Sequence, residues 1–320
     1  MLIDSFGRVH SDLRVSLSDR CQLRCTYCMP EEGLAWARDV LTADEIGRVI
    51  RVSVGEGITE VRLTGGEPLL RRDLLDIVAA IDVPDLSLTT NGMGLARIAP
   101  DLRHAGLQRV NISVDTLRPD RFRMLTRRDG HAAVLEGVRA AKAAGLLPVK
   151  VNTVLMRGIN DDEVLDLVAW ARAEDVELRF IEHMPLGPDG AWAREDVVTA
   201  EEVLAQLRTA YDVRPVGHRD HAPAELFTLD GAGPRVGVIA SVTQPFCGDC
   251  DRLRLTADGH LRACLFSRDE DDLRPLLRGG ASDAELADKL HQVVAGKGAG
   301  HGIGLPGFRP PSRTMSEIGG

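Results

Sequence analysis

Short apolar segments alternate with amphipathic ones along the first half of the chain. Runs rich in β-branched residues predict strands, and apolar positions spaced three or four residues apart predict helices between them. The six predicted strands are segments 13–18, 60–64, 86–90, 109–114, 148–156 and 176–184. A helix is predicted to begin at Thr42, where Glu45 completes a capping box. The other predicted helices lie near residues 72–82, 94–105, 131–145 and 161–174.

Regular alternation of strands and helices indicates an α/β fold with parallel strands and right-handed helical crossovers. Six strand–helix units are two short of a closed eight-stranded barrel. We therefore expect a partial (β/α)6 TIM-like barrel with one open side. A doubly wound open sheet is the alternative.

After Pro185 the pattern changes to a loop, a helix over 199–207 and several short strands separated by Gly and Pro. The segments LFTLD, RVGVIASV and RLRLT are interpreted as antiparallel strands. We expect them to form a C-terminal antiparallel β-containing lobe that closes the open side of the barrel. The predicted domains are residues 1–190 for the barrel and 191–320 for the lobe, which ends in a Gly- and Pro-rich tail.

The formal net charge is −9 at pH 7, from 39 Lys and Arg against 48 Asp and Glu. Such a charge repels polyanions at long range, so we expect no general binding of nucleic acid or of a membrane surface. The N-terminus lacks a basic stretch followed by an apolar run, and no segment approaches the roughly 18 apolar residues that span a bilayer. These features predict a cytoplasmic protein.

The six cysteines fall into two groups of three. The first group is Cys21, Cys25 and Cys28, and the second group is Cys247, Cys250 and Cys264. In a reducing compartment such clustering indicates metal or redox chemistry rather than disulfides. Thiolates hold iron–sulfur clusters, and three protein ligands on a four-iron cluster leave one iron open for a substrate or cofactor.

Zinc is the alternative at both cysteine groups. The first group would need a remote ligand such as His10, whereas His260 lies within the second and would complete a Cys3His set.

Polar residues follow several of the predicted strands. In a TIM-like barrel functional residues lie at the carboxyl ends of strands. These positions hold Thr64, Gly65, Gly66, Thr89, Thr90, Asn91, Ser113, Asp115 and Met184. The strand ends therefore predict the location of the active site.

Four basic residues lie within predicted strands: Arg14, Arg62, Lys150 and Arg179. Buried charges are costly unless they are paired or face a wet cavity. An ion pair explains any one of them, but four together indicate a cavity for an anion.

Arg252 and Arg254 are two residues apart on a predicted strand and therefore face the same way. Guanidinium groups match phosphate oxygens, so this pair suits a polyphosphate beside the second cysteine group. A solvated strand face is the alternative.

The first cysteine group and a glycine-rich segment together resemble a known superfamily. The spacing Cys21-x-x-x-Cys25-x-x-Cys28, with Tyr27 before the last cysteine, is similar to the signature of radical S-adenosylmethionine (SAM) enzymes. The segment TGGEP (64–68) is similar to their glycine motif. TGGEP alone is also a plausible turn, so its position after a strand is what favours the resemblance.

The second cysteine group narrows this resemblance. Its spacing, the following Arg-Leu-Arg and the terminal Gly-Gly resemble the GTP 3',8-cyclase family of molybdenum cofactor biosynthesis. The segments DLRVSLSDRCQLRCTYCMP, RLTGGEPLLRRDL, NISVDTL and RFIEHM carry the same resemblance, which is thinnest between about 267 and 312.

The resemblance implies a radical SAM lyase. A reduced N-terminal [4Fe-4S] cluster would cleave SAM, and the 5'-deoxyadenosyl radical would abstract the 3' hydrogen of GTP. The product would be (8S)-3',8-cyclo-7,8-dihydroguanosine 5'-triphosphate, in the first step of molybdopterin biosynthesis.

The resemblance also implies roles for individual residues. Both cysteine groups would hold [4Fe-4S] clusters. The residues expected to contact SAM are Tyr27, Gly66, Ser113 and Met184. Those expected to contact GTP are Arg14, Arg62, Thr89, Lys150, Arg252 and Arg254. The expected catalytic residues are Arg252, Arg254, Gly319 and Gly320, with the Gly-Gly tail reaching the active site where an arbitrary terminus would be frayed.

The partners implied by the resemblance are GTP, an electron donor such as flavodoxin or ferredoxin, and a cyclic pyranopterin monophosphate synthase acting downstream. It also allows a homodimer. Two other functions remain open at this point: a radical SAM peptide-modifying enzyme with an auxiliary cluster, and a non-enzymatic electron carrier or zinc-stabilised binding module.

Overall fold

Six strands connected by helices build the first half of the molecule, as the sequence pattern predicts. The computed structural model describes residues 1–34, 36–37, 39–187, 192–217 and 221–319. The strands are β1 (Asp12–Ser16), β2 (Glu60–Thr64), β3 (Asp85–Thr90), β4 (Arg109–Ser113), β5 (Val149–Leu155) and β6 (Glu177–Glu182). The helices are α1 (Ala43–Gly55), α2 (Leu74–Ala80), α3 (Leu95–Ala105), α4 (Pro119–Thr126), α5 (His131–Ala143) and α6 (Val164–Glu174).

Strands β1 to β6 are hydrogen-bonded in chain order, and every neighbouring pair is parallel. A doubly wound sheet would instead reverse its strand order at a switch point. The structure therefore confirms the partial barrel and excludes the open-sheet alternative.

In the described residues of the C-terminal half, the structure adds six short strands and four α-helices. The strands are β7 (Val213–Pro215), β8 (Glu225–Leu229), β9 (Ala232–Ile239), β10 (Arg252–Leu255), β11 (His260–Arg262) and β12 (Asp271–Asp272). The helices are α7 (Ala200–Arg208), α8 (Arg274–Arg278), α9 (Asp283–Ala295) and α10 (Met315–Ile318).

The C-terminal strands extend both edges of the barrel. Neighbours in the chain are antiparallel, as predicted, in β7–β8–β9 and in β10–β11–β12. However, β9 pairs in parallel with β6, and β10 pairs in parallel with β1. The predicted antiparallel pairing is therefore confirmed, but the parallel pairs with the barrel edges were not predicted, because local turn signals report only the pairing of chain neighbours.

This pairing places eight parallel strands side by side in the order β10-β1-β2-β3-β4-β5-β6-β9. Within the described part of the chain, β9 and β10 are not paired with each other. We call the gap between them the open side. Segment 240–251 runs from the carboxyl end of β9 to the amino end of β10, so it must cross this open side. The predicted domain boundary at 190/191 lies outside the described residues.

Alternation along the strands separates an apolar outer face from a polar inner face. On β1, Leu13 and Val15 are fully buried in the main hydrophobic core. Arg14, between them, lines the central cavity instead. The polar cavity inside the barrel is therefore a direct result of the strand pattern.

Three helices of the C-terminal half were not predicted from the sequence: α8, α9 and α10. Two of them carry capping boxes, formed by Ser282 with Glu285 at α9 and by Thr314 with Glu317 at α10. The motif Ser/Thr-x-x-Glu was the signal that could have located them. Within the described ranges, no helix has both the length and the apolar character needed to cross a bilayer.

We expect Thr42→Ala to lower the free energy of unfolding by about 1 kcal/mol, because it removes the N-cap acceptor of α1. In the native chain the Thr42 hydroxyl accepts a hydrogen bond from the Glu45 amide at 3.2 Å. The Glu45 carboxylate accepts a hydrogen bond from the Thr42 amide at 2.8 Å. Chemical denaturation followed by circular dichroism measures the change. Thr42→Ser keeps the acceptor and is the control, so an equal loss in both variants would contradict the capping role.

Candidate active site

All six cysteines line one cavity inside the barrel. The first group lies in the loop after β1, at the carboxyl end of that strand. The second group lies around the open side, with Cys247 and Cys250 before β10 and Cys264 just after β11. The rule that places functional residues at carboxyl strand ends therefore locates the first group but not the second, which begins at an amino strand end.

The three thiols of the first group are suited to a metal rather than to a free thiolate cluster. Burial raises the pKa of Cys21 to about 11 and that of Cys28 to about 12, and it raises the pKa of Cys25 well above its usual value. Each thiolate would also repel the others. Because metals bind the thiolate form, cationic iron would supply the charge that these buried sulfurs need.

The glycine motif packs directly against the loop of the first cysteine group. The amide of Gly66 donates to the carbonyl of Ser18 at 2.6 Å, and the amide of Glu67 donates to the carbonyl of Arg20 at 2.7 Å. A Cβ atom on Gly66 would lie 2.5 Å from the Arg20 carbonyl oxygen. Glycine is therefore required at this position because the backbone packs closely against the cysteine loop. This reason is independent of the expected contact with SAM.

Glu67 links the glycine motif to the end of β3. Its carboxylate accepts hydrogen bonds from the Thr90 hydroxyl at 2.7 Å and from the amides of Asn91 at 2.7 Å and Leu69 at 2.9 Å. Burial raises the pKa of Glu67 to about 7, although these hydrogen bonds oppose the change. Asn91 in turn reaches the Cys21 sulfur at 3.7 Å. Two strand ends and the cysteine loop thus form one hydrogen-bonded unit.

The four residues expected to contact SAM all line the cavity: Tyr27, Gly66, Ser113 and Met184. The Tyr27 hydroxyl donates to the Asp115 carboxylate at 2.6 Å. Burial raises the pKa of Asp115 to about 6. Asp115, which we predicted only as a polar strand end, therefore orients Tyr27.

Among the residues that the structure describes, five arginines line the cavity: Arg14, Arg62, Arg179, Arg252 and Arg254. Burial and the nearby Arg62 lower the pKa of Arg14 to about 10, and burial with Arg14 and Arg252 lowers the pKa of Arg254. These buried guanidinium groups repel one another. A bound polyanion would relieve that repulsion.

Unpartnered polar atoms in the cavity wall also point to a polar ligand. Among the described residues, the Nε atoms of Arg14 and Arg252 and the Oδ1 atoms of Asn111 and Asn152 are buried without a hydrogen-bond partner. Buried polar atoms are rarely left unpaired in a native protein. The cavity wall therefore fits a ligand that carries both donors and acceptors.

The ion-pair alternative holds for two of the predicted anion-binding residues that line the cavity. Arg179 lies 2.6 Å from the Glu177 carboxylate, and Arg14 lies 3.5 Å from the Asp12 carboxylate. Lys150 does not line the cavity. On β5 it lies two residues before Asn152, which lines the cavity, and on the same face of the strand. Burial, together with the nearby Arg179 and Arg109, lowers the pKa of Lys150 to about 7.

Neither histidine proposed as a zinc ligand lines the cavity. His10 contacts Asp4 at 3.1 Å, and His260 contacts Asp258 at 3.2 Å. Within the described residues, no three His, Cys, Asp or Glu side chains converge where a single metal ion could sit. A four-iron cluster does not require that convergence, because each thiolate binds a different iron.

The C-terminal tail enters the barrel mouth. Arg254 donates to the Gly319 carbonyl at 2.6 Å, and a Cβ atom on Gly319 would lie 2.5 Å from the Thr64 hydroxyl. Ser316 hydrogen-bonds Cys28, and Met315 lines the cavity. The chain is therefore not frayed as far as Gly319. Gly320 lies outside the described residues.

Comparison with known proteins agrees with this geometry. Residues 15–171 match the radical SAM superfamily model, and residues 176–303 match the model described as Molybdenum Cofactor Synthesis C. A GTP 3',8-cyclase of Streptomyces coelicolor is 58% identical over the full chain and 96% of that protein. One from Corynebacterium glutamicum is 50% identical over the full chain and 89% of that protein.

The chain belongs to the GTP 3',8-cyclase family. Membership decides against both the peptide-modifying enzyme and the non-enzymatic metal-binding module. It also supports SAM and a [4Fe-4S] cluster as cofactors of the barrel.

A solved structure shows the same fold at low sequence identity. The crystal structure of Streptococcus suis SuiB has a TM-score of 0.61 with 14% identity, covering 89% of this chain and 68% of that chain. A SuiB structure bound to S-adenosylmethionine has a TM-score of 0.59 with 13% identity, covering 88% and 68%. Similarity at this level concerns the architecture alone.

Two residues that support the site of this cyclase family member were not predicted from the sequence. Lys297 contacts Cys250, and Ser316 contacts Cys28. Neither lies near a cysteine motif in the sequence, so no local spacing rule could have identified them. Besides the resemblance of the terminal Gly-Gly, the Thr314 capping box was a local signal for an ordered tail.

We expect Gly66→Ala to displace the loop of the first cysteine group, because the new Cβ would lie 2.5 Å from the Arg20 carbonyl oxygen and 2.6 Å from that of Asp19. In a chain whose second cysteine group is replaced by alanine, anaerobic reconstitution should then yield much less iron and sulfide per chain than without the change. Gly47→Ala is the control, because a Cβ on Gly47 meets no atom within 4 Å. Full iron loading of the Gly66 variant would refute the packing argument.

Proposed function

We propose that this chain cyclises GTP to (8S)-3',8-cyclo-7,8-dihydroguanosine 5'-triphosphate with SAM as co-substrate, the first step of molybdopterin biosynthesis. The observation that carries this proposal is one cavity lined by both cysteine groups and by five arginines. The side chains of this cavity suit an iron–sulfur cluster, the sulfonium cofactor SAM and a triphosphate. Over its full length, the chain is similar to GTP 3',8-cyclases.

Each cysteine group would hold a [4Fe-4S] cluster with one iron left open. Cys21, Cys25 and Cys28 would hold the cluster that binds SAM, and Cys247, Cys250 and Cys264 would hold a second cluster facing GTP. When bound, the first cluster and SAM supply a 5'-deoxyadenosyl radical that can abstract hydrogen. The buried thiols of the first group and the cations around Cys250 support both assignments.

The SAM subsite would be formed by strand ends that face the first group. Tyr27, oriented by Asp115, would pack beside the cofactor. Gly66 would present its backbone, while Ser113 and Met184 would line the opposite walls. The hydrogen bonds of Glu67 would fix the position of the glycine motif relative to the end of β3. A rigid wall of this kind holds a reactive group close to its target.

The GTP subsite would be built from inward residues of adjacent strands. Arg254 of β10 is in register with Arg14 of β1, which is in register with Arg62 of β2. Three neighbouring strands therefore present a continuous row of guanidinium groups that suits a triphosphate. Thr89 and Arg252 would add contacts from the cavity wall, and Lys150 would contribute charge from the deeper position.

Arg252, Arg254, Gly319 and Gly320 are proposed to act closest to the reaction. The Arg252 guanidinium lies 4.7 Å from the centre of the Phe246 ring, which holds it beside the second group. Arg254 links the triphosphate row to the tail through the Gly319 carbonyl. The tail would exclude water from the reacting sugar.

The remaining partners stay proposals. An electron donor such as flavodoxin or ferredoxin would reduce the first cluster, and a cyclic pyranopterin monophosphate synthase would act next. A homodimer is also compatible with the proposal.

Anaerobic incubation with SAM, dithionite and each nucleoside triphosphate tests the function directly. We expect 5'-deoxyadenosine and a cyclised nucleotide with GTP only.

Arg62→Gln should weaken GTP binding by about 10- to 100-fold, because a hydrogen bond to a charged group contributes about 1.5–3 kcal/mol.

The control for Arg62→Gln is Arg139→Gln on the exposed surface of α5, where the side chain pairs with Glu174. Equilibrium binding of SAM and GTP should show a loss for GTP alone in the Arg62 variant. Equal affinity for GTP in both variants would count against the proposed triphosphate subsite, and turnover with every nucleotide would count against GTP as the specific substrate.

We expect removal of Gly319 and Gly320 to abolish cyclisation while both cysteine groups still load iron, because the tail touches the cavity wall but supplies no cysteine. Iron, sulfide and cyclised product are measured on the same preparation. Extending the chain by two residues after Gly320 keeps both glycines and serves as a comparison. Unchanged turnover in the truncated chain would exclude a role for the tail.

A further inference from the structure

Lys297 lies beneath the second cysteine group, two residues after α9, and is only 4% exposed. Its ammonium nitrogen lies 2.9 Å from the Arg252 carbonyl oxygen and 3.1 Å from the Cys250 carbonyl oxygen. It also lies 3.4 Å from the Cys250 sulfur and 3.5 Å from His10 Nδ1. These contacts fix the ammonium group against the chain that leads into β10.

No carboxylate among the described residues pairs with this buried ammonium group. Asp4, which contacts His10, already accepts hydrogen bonds from Arg8, and the Asp251 carboxylate accepts one from the Ser11 hydroxyl. A buried charge without a partner of opposite sign is strongly unfavourable. Two carbonyl dipoles and the His10 nitrogen reduce this cost but carry no negative charge, so only the remaining contact can supply an anion.

The remaining contact is the Cys250 sulfur, which is anionic when it ligates a metal. We infer that Lys297 is a positioning residue whose ammonium group neutralises the Cys250 thiolate and raises the reduction potential of the second cluster. This inference rests on the proposed second cluster. Lysine suits the role because its charge is compact and its three donors serve two carbonyls and a sulfur at once.

The environment of Cys250 differs from that of its partner Cys247. Cys250 has Lys297 on one side and Arg252 on the other. At Cys247 the carbonyl oxygen, rather than the sulfur, receives a guanidinium hydrogen bond, from Arg8 at 2.7 Å. Cluster potentials depend on net charge and on hydrogen bonds to the sulfur ligands. The two cations next to the Cys250 sulfur therefore make the second cluster easier to reduce.

The test uses the full chain with the first cysteine group replaced by alanine, so that all cluster iron belongs to the second group. Lys297→Met removes the charge at similar length, and Lys297→Arg retains it. Lys142→Met on α5 is the matched control, because that lysine contacts only the end of α6.

We expect Lys297→Met to lose iron to a chelator about 10- to 100-fold faster, the range typical of lost outer-shell partners. Its reduction potential, followed by electron paramagnetic resonance, should shift to more negative values, whereas Lys297→Arg should stay close to the parent. Without metal and at one fixed pH, alkylation of Cys250 should slow relative to Cys247 and Cys264 in the methionine variant only.

Equal iron release, potential and alkylation in the methionine variant and the parent would overturn the inference. Circular dichroism melting of the metal-free chains separates a folding defect from a local effect, and a methionine variant that melts with the parent makes the comparison valid. A parent that binds no iron would refute the second cluster itself. The alkylation rates would then still decide whether Lys297 pairs with the Cys250 thiolate.

Discussion

The structure depends on placing many charged side chains inside a barrel. Strand alternation sends apolar residues to the helices and polar residues inward, so the interior must neutralise its own charge. At the amino ends of the strands this is done by carboxylates, as in the contact of Arg109 with Asp85 at 2.6 Å. Farther along the strands, Arg14, Arg62 and Arg254 outnumber the acids. The excess positive charge there is what selects an anionic ligand.

The C-terminal half completes the cavity by joining the barrel sheet rather than by forming a separate layer. β9 and β10 continue the parallel order at the two edges, and the segment between them crosses the open side. This connection brings the second cysteine group to the same cavity as the first. It also aligns Arg254 with Arg14, so that residues from distant parts of the sequence form one basic row.

Most of the predicted site residues line the cavity, and two residues whose predicted roles differ from their observed contacts do so for physical reasons. Arg179 is largely neutralised by Glu177 because the two are neighbours on the inner face of β6. His260 belongs to a charged network with Asp258 and Arg313, which turns it away from the cysteines. Local spacing cannot distinguish these outcomes, because each depends on which side chain occupies the adjacent strand or turn.

The sequence by itself determined the strand–helix order, the helix cap at Thr42 and the two cysteine groups, because these depend on local periodicity and on the spacing of ligands within one loop. Only the tertiary structure decided that β9 and β10 border the barrel edges, that Gly66 packs on the cysteine loop and that Lys297 lies against Cys250. Those contacts join segments far apart in the chain, and they arise from the burial and pairing that folding imposes rather than from any local pattern.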